Sequence, residues 1–232
     1  MNYNFKVHLH NYAVWTASRA SQRGFTTTEN ITLAINKTEL QEFATLKSIL
    51  PEEFNSFHRK TSKIIIEEIE KKGTKTSYGR AAKIIAIYLK TAVIIKNSGH
   101  GNLAKVIHPP IDNILLKNLN RAHRELKLGN IKWTYLNEKD YFNLIYKLKT
   151  LDFDYFWELE EYWNPINDSQ RNVDLKKFGG SAIEYYKLLG VDLNKIPKSS
   201  SSAIGNSYLS GLITPISELI EKHGEGILIK RE

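Results

Sequence analysis

From Gly79 to Ile95 the chain reads GRAAKIIAIYLKTAVII, apolar on nearly every side of a helix, with its charge confined to Arg80, Lys83 and Lys90. Such a segment is stable only if other elements cover it all round, so it belongs at the centre of a domain. Its β-branched residues would suit a strand, but its length and its alanines favour a helix. Lys83 and Lys90 interrupt it, and it falls short of the roughly 18–20 apolar residues a membrane span needs. These features predict an all-α domain wrapped around this helix, with no membrane segment.

The flanking sequence supplies further helices. Residues 8–23 place Tyr12, Trp15 and Arg19 at steps of three and four, a helical face that ends at Gly24. Thr26-Thr27-Thr28-Glu29 offers caps for a helix through Ile31, Leu33, Ala34 and Ile35. Thr38 opens the next, containing Leu40, Phe43, Leu46 and Leu50. Pro51-Glu52-Glu53 starts a long helix that runs to Lys72 and stops at Gly73. The central helix begins near Ser77 and is broken by Gly99-His100-Gly101. Asp112, after the turn His108-Pro109-Pro110, is a natural N-cap for a helix through Ile114, Leu115, Leu116 and Leu119. Another helix is expected from about Glu138 to Leu151, then an aromatic window, LDFDYFWELEEYWNP, at 151–165. Residues 166–180 read as loop, 181–189 as a short helix, 198–202 as a serine-rich linker and 208–223 as a last helix. The expected organisation is one helical domain over 1–232, or two intertwined subdomains, about 1–50 with 133–232 and about 51–132.

Charge is regional. Residues 71–132 hold thirteen Lys/Arg against Asp112 and Glu125, a surplus of +11 where the whole chain carries +8. Such a surface fits a phosphate backbone. The chain lacks cysteine, which excludes disulfides, thiolate zinc sites and cysteine-held iron–sulfur clusters. His8 and His10 read as surface groups, and neither metal nor cofactor is expected. The N-terminus has no signal-peptide pattern, and a monomer in a reducing cytoplasm is the expectation.

Lys83 and Asp112 are the pair that carries chemistry. An amine in apolar surroundings is a nucleophile once neutral. A carboxylate at a helix N-terminus is favoured as the anion and stabilises positive charge on a sugar ring that is losing its base. Reaching that sugar in DNA requires an extruded nucleotide held against aromatic faces, for which Trp15, Trp157, Tyr162 and Trp163 are available. Gln22 and Arg19 are placed to read a base edge, and His108 is expected beside Asp112.

The hairpin KKGTKTSYG, the lysine of YGRAAKIIAIYL and the aspartate of HPPIDNILLKNL together resemble the helix-hairpin-helix DNA glycosylase superfamily. The likeness runs from about Ile64 to Leu119, about a quarter of the chain, and its lysine-to-aspartate interval is most similar to the archaeal 8-oxoguanine DNA glycosylases. It implies a multi-helix fold with a central helix-hairpin-helix and an active-site cleft between two helical subdomains. It also implies a lysine that attacks the sugar, an aspartate that assists, and hairpin N–H groups that hold a phosphate, here at Lys72, Gly73, Lys75, Ser77, Gly79 and Arg80. The implied activity is excision of a damaged or modified base from duplex DNA, with or without AP-lyase activity, in repair or anti-phage defence. The family's Gly-x-Gly before the lysine is missing: Gly79 stands alone, four residues ahead of Lys83. Lys90, one heptad on, is the alternative nucleophile.

Plain alternatives stand beside each assignment. Arg80, Lys83 and Lys90 form the wet stripe of a buried helix, Asp112 is only a cap, and the tryptophans are core. On that basis the chain is a non-catalytic helical DNA- or RNA-binding protein using the basic 71–132 surface, or an interaction module with an aromatic groove at 151–165.

Overall fold

A computed structural model describes residues 3–163. The loop, linker and helices expected at 166–223 lie outside the described residues. Within them the fold is all-α, with no strand. The helices are α1 (Phe5–Ser21), α2 (Thr28–Ile35), α3 (Leu40–Phe43), α4 (Pro51–Glu70), α5 (Tyr78–Leu89), α6 (Asn113–Ala122) and α7 (Glu138–Leu148). α5 continues as a π-helical turn, Lys90–Ile95, and 3₁₀ turns occupy Arg124–Leu126, Trp133–Tyr135 and Phe156–Tyr162.

Helix starts follow local side-chain chemistry. Asn4, Thr27, Ser77, Asp112 and Asn137 each accept a hydrogen bond from a backbone N–H in the first turn of the helix they precede, satisfying donors that the helix leaves free. α4 begins on Pro51, and Glu53 Oε2 accepts the Leu50 N–H at 3.1 Å. Gly24 and Gly73 end α1 and α4 at φ +64° and +80°, a left-handed conformation that glycine takes without strain.

The expected helix from Thr38 through Leu50 is cut short. Only Leu40–Phe43 is helical, and Leu40 and Phe43 are buried whereas Leu46 and Leu50 are exposed. Among the described residues no wall covers the later leucines, and Leu50, which precedes a proline, takes extended backbone.

α5 lies at the centre, packed against α1, α4, α7 and the 133–135 turn. Two apolar clusters meet on it. One takes in residues of α1 to α4, most of α5 and the 103–107 segment. The other holds Tyr78 and Ala82 of α5 with α6, α7 and the 156–159 turn. Ile84, Ile85 and Leu89 are fully buried, and truncating any of them to alanine would cost about 2–5 kcal/mol. No helix among the described residues is long and apolar enough to cross a membrane.

Candidate functional site

Lys83 and Lys90 are seven residues apart, close to two full turns, so they leave α5 on one face. That face, the only polar stripe on the helix, is not open to water. The Lys83 side chain is 13% exposed and that of Asp112 is 14% exposed. Lys83 Nζ donates to Asp112 Oδ2 at 3.2 Å. The pair lines a cavity of about 250 Å³ bounded by Thr16 and Ala20 of α1, Ile87 and Lys90, Pro110, Glu160 and Trp163.

Asp112 divides its work between its two oxygens. Oδ1 accepts the Ile114 and Leu115 N–H groups at 3.0 and 3.1 Å, capping α6. Oδ2 receives Lys83 and the Trp163 indole N–H, the latter at 3.0 Å. The cap fixes the carboxylate's direction, and Asp112 lines the cavity with Lys83 and Trp163. Lys83 is held from its other side by Trp133, whose ring centroid lies 4.8 Å from Nζ.

A second ion pair shares the wall. Lys90 Nζ donates to Glu160 Oε2, and Lys90 also lies 5.4 Å from the Trp163 ring centroid. Burial pushes the Glu160 carboxyl up, the Lys90 ammonium pulls it down, and nearby Asp112 adds to the rise. Lys90, Ile95, Glu160 and Trp163 also line an adjacent, larger cavity of about 790 Å³. Trp157 belongs to this second cavity and donates its indole N–H to the Gly99 carbonyl at 3.2 Å.

The remaining candidates are dispersed. Trp15 is 56% exposed, stacks on Tyr12 with centroids 5.7 Å apart, and lines a separate cavity with Arg19. Gln22 caps the C-terminus of α1 through its backbone and is not among the residues lining the Lys83–Asp112 cavity.

Contrary to the expectation that it stands beside Asp112, His108 is not among the residues that line the Lys83–Asp112 cavity. It is 1% exposed and sits in an aromatic cluster with His58, Tyr141, Phe54, Phe142 and Phe156. Its Nδ1 shares a hydrogen bond with the Tyr141 hydroxyl at 3.2 Å, as His58 Nδ1 does with Tyr78 at 2.9 Å. Burial, reinforced by Arg59, lowers His58 to about 3. Burial, with His58 and Lys149, holds His108 well below the usual range. The proline pair turns the chain inward at His108 and presents Asp112 only after Ile111 is buried.

The hairpin between α4 and α5 also differs from a phosphate cradle. Lys72, Gly73 and Lys75 are exposed, and Ser77 and Arg80 are half-buried. Gly79, however, is buried, and its N–H donates to the Leu136 carbonyl at 3.0 Å. A Cβ there would lie 2.0 Å from the Trp133 carbonyl oxygen, so this glycine exists for close packing. The Arg80 N–H is taken by Ser77 Oγ at 3.2 Å, and its guanidinium stacks 4.3 Å over Phe25. Lys72 and Lys75 are exposed and form no ion pair among the described residues.

Glu160 and Trp133 are the site residues that sequence reasoning did not single out. Glu160 is one of several acids in the aromatic window, and nothing local distinguishes it from Glu158 or Glu161. Trp133 reaches Lys83 only because Gly79 admits its backbone. The chain matches no protein-family model, no curated protein and no solved structure.

Proposed function

We propose that the chain is a DNA glycosylase that excises a base from an extruded nucleotide, with Lys83 as the attacking amine and Asp112 as the supporting carboxylate. The observation that carries this reading is the Lys83–Asp112 pair, 3.2 Å apart and largely removed from water, on the wall of a cavity. Lys83 Nζ, once deprotonated, bonds to C1′ as the C1′–N bond to the base breaks. The departing base takes the bonding electrons and a proton. Opening of the sugar ring at O4′ then leaves an imine between Lys83 and C1′. Asp112 Oδ2 stabilises the positive charge that spreads over the sugar in this step.

Sodium borohydride reduces that imine and fixes the protein to DNA, so trapping on duplexes carrying a panel of damaged bases is the direct test. Lys83→Gln should abolish trapping and leave duplex affinity within a few-fold. Trapping that survives in Lys83→Gln and disappears in Lys90→Gln would move the nucleophile one heptad along α5.

Non-catalytic polyanion binding is the second reading, and one observation favours it. Ten of the thirteen basic residues in 71–132 are exposed, and among the described residues only Lys71 of those ten meets a carboxylate. Binding that weakens steeply with salt while no base is released would support it.

A further inference from the structure

α1 and α2 pack side by side, and the groove between them holds a cavity of about 480 Å³, within the range of about 300–1,000 Å³ that small ligands occupy. Asn11, Trp15, Ser18 and Arg19 recur at steps of three and four, so they share one face of α1. Thr28, Thr32 and Asn36 recur at steps of four on α2, with Glu29 beside Thr28. Ser18 Oγ and Thr32 Oγ1 are bonded to each other at 3.1 Å and tie the two helices together. Thr16 and Ala20, which line the Lys83–Asp112 cavity, leave α1 on roughly the opposite face. One helix therefore stands between two separate cavities.

The groove combines one flat apolar wall with polar groups that are not engaged elsewhere. Trp15 is exposed, and the Tyr12 ring stacks behind it. Among the described residues the side chains of Asn11, Arg19, Glu29 and Asn36 make no hydrogen bond, and Arg19 and Glu29 form no ion pair although they line the same cavity. One guanidinium and one carboxylate leave the lining without net charge. A phosphate there would meet Glu29 as well as Arg19 and gain little. Amides, a carboxylate and a guanidinium together both donate and accept hydrogen bonds, which suits a neutral ligand with neighbouring hydroxyls. A pyranose carries such hydroxyls around a C–H face that lies flat on an indole, held there by dispersion.

We infer that the α1–α2 groove is a saccharide-binding site. Trp15 is the platform under a pyranose ring, and Asn11, Arg19, Glu29 and Asn36 are the partners of its hydroxyls. This gives Trp15 a role apart from the Lys83–Asp112 cavity, and it holds whether or not the chain excises bases.

The methyl α- and β-glucosides and the methyl α- and β-galactosides are titrated into the full chain, with adenosine monophosphate as the nucleotide comparison. Binding is read by calorimetry and by the indole N–H resonances in proton–nitrogen correlation spectra, where the Trp15 peak is the one missing from Trp15→Phe. The expected result is that at least one glycoside saturates the protein with a dissociation constant on the order of 1 mM and shifts the Trp15 resonance while that of Trp163 stays in place. Trp15→Ala and Glu29→Ala should each weaken binding at least about 10-fold. Trp15→Phe, which keeps a ring face, and Glu29→Gln, which keeps an acceptor, should retain part of the affinity. Both positions are exposed, so thermal melts of all four variants should stay close to wild type and separate lost binding from lost folding. No saturation by any glycoside at on the order of 100 mM, or binding unchanged in Trp15→Ala, overturns the inference. Tighter binding of adenosine monophosphate than of every glycoside overturns it as well and makes the groove a nucleotide site.

Discussion

Replacing Gly79 by alanine separates a packing role from a phosphate-cradle role. The added Cβ would lie 2.0 Å from the Trp133 carbonyl oxygen and 3.3 Å from Leu136 Cβ. Both partners belong to one short backbone segment, so the 133–136 turn must move by on the order of 1 Å to reach ordinary contact distance. Overpacking of this kind costs about 1–3 kcal/mol. The shift also strains the Gly79 N–H bond to Leu136, for which about 1 kcal/mol is a fair loss. Alanine returns about 1 kcal/mol through helix propensity. The net is a destabilisation of about 1–3 kcal/mol, or a melting temperature lower by roughly 2–12 °C. Trp133 moves with the turn, so its ring leaves Lys83, and on the proposed glycosylase reading base excision should fall while duplex affinity stays within about two-fold. Gly73→Ala is the control: among the described residues nothing lies within 4 Å of a Cβ there, and the φ of +80° is what opposes it, a penalty of about 1 kcal/mol. Thermal melts and a filter-binding titration on both variants decide the matter. A Gly79→Ala protein that melts at or above the wild-type temperature but loses DNA affinity would refute the packing account.

Asp112→Asn and Asp112→Ala should part company in stability. Asparagine still caps α6, so the alanine variant melts lower by the equivalent of about 1 kcal/mol, while both lose excision by at least about 100-fold because the charge facing Lys83 is gone. Equal activity in wild type and Asp112→Asn would reduce Asp112 to a cap. The pH dependence of stability carries a separate signature. His58 is neutral when folded down to about 3, whereas the unfolded imidazole titrates near 6.5. Its contribution is therefore complete above about pH 6.5 and is lost as pH falls toward 3, costing about 2 kcal/mol by pH 5. Thermal melts from pH 7.5 to 5 should show at least this fall, to which the equally buried His108 adds, and His58→Gln should remove the share that belongs to His58. An unchanged slope would place the proton uptake elsewhere.

What was legible in the sequence was mostly short-range. Thr27, Ser77 and Asp112 mark helix starts because a cap is a contact between residues two or three apart. The centrality of α5 followed from its all-round apolar composition. The Lys83–Asp112 contact spans 29 positions, yet it was approachable because each residue has a local peculiarity, a cation in an apolar helix and an acid after a proline pair. The Lys90–Glu160 pair spans 70 positions and has no such mark on its acidic side. Gly79 reads as a turn glycine until the 133–136 turn is seen against it, and His108 reads as a surface turn residue until the Tyr141 and Phe142 rings close over it. In each case the deciding partner lies far along the chain.

The π turn at Lys90–Ile95 has a consequence for length. It contains one residue more than an α-helix would use over the same rise, and at its end Ile94 is buried while Ile95 is 62% exposed. A chain shorter by one here could close into a regular helix without forfeiting a hydrogen bond. Everything downstream would then arrive rotated by about 100° and about 1.5 Å early, and Asp112 would be delivered away from the amine it now meets. The wide turn thus acts as a shim between two fixed ends, and the span from Lys83 to Asp112 is a matter of residue count as well as of side-chain identity.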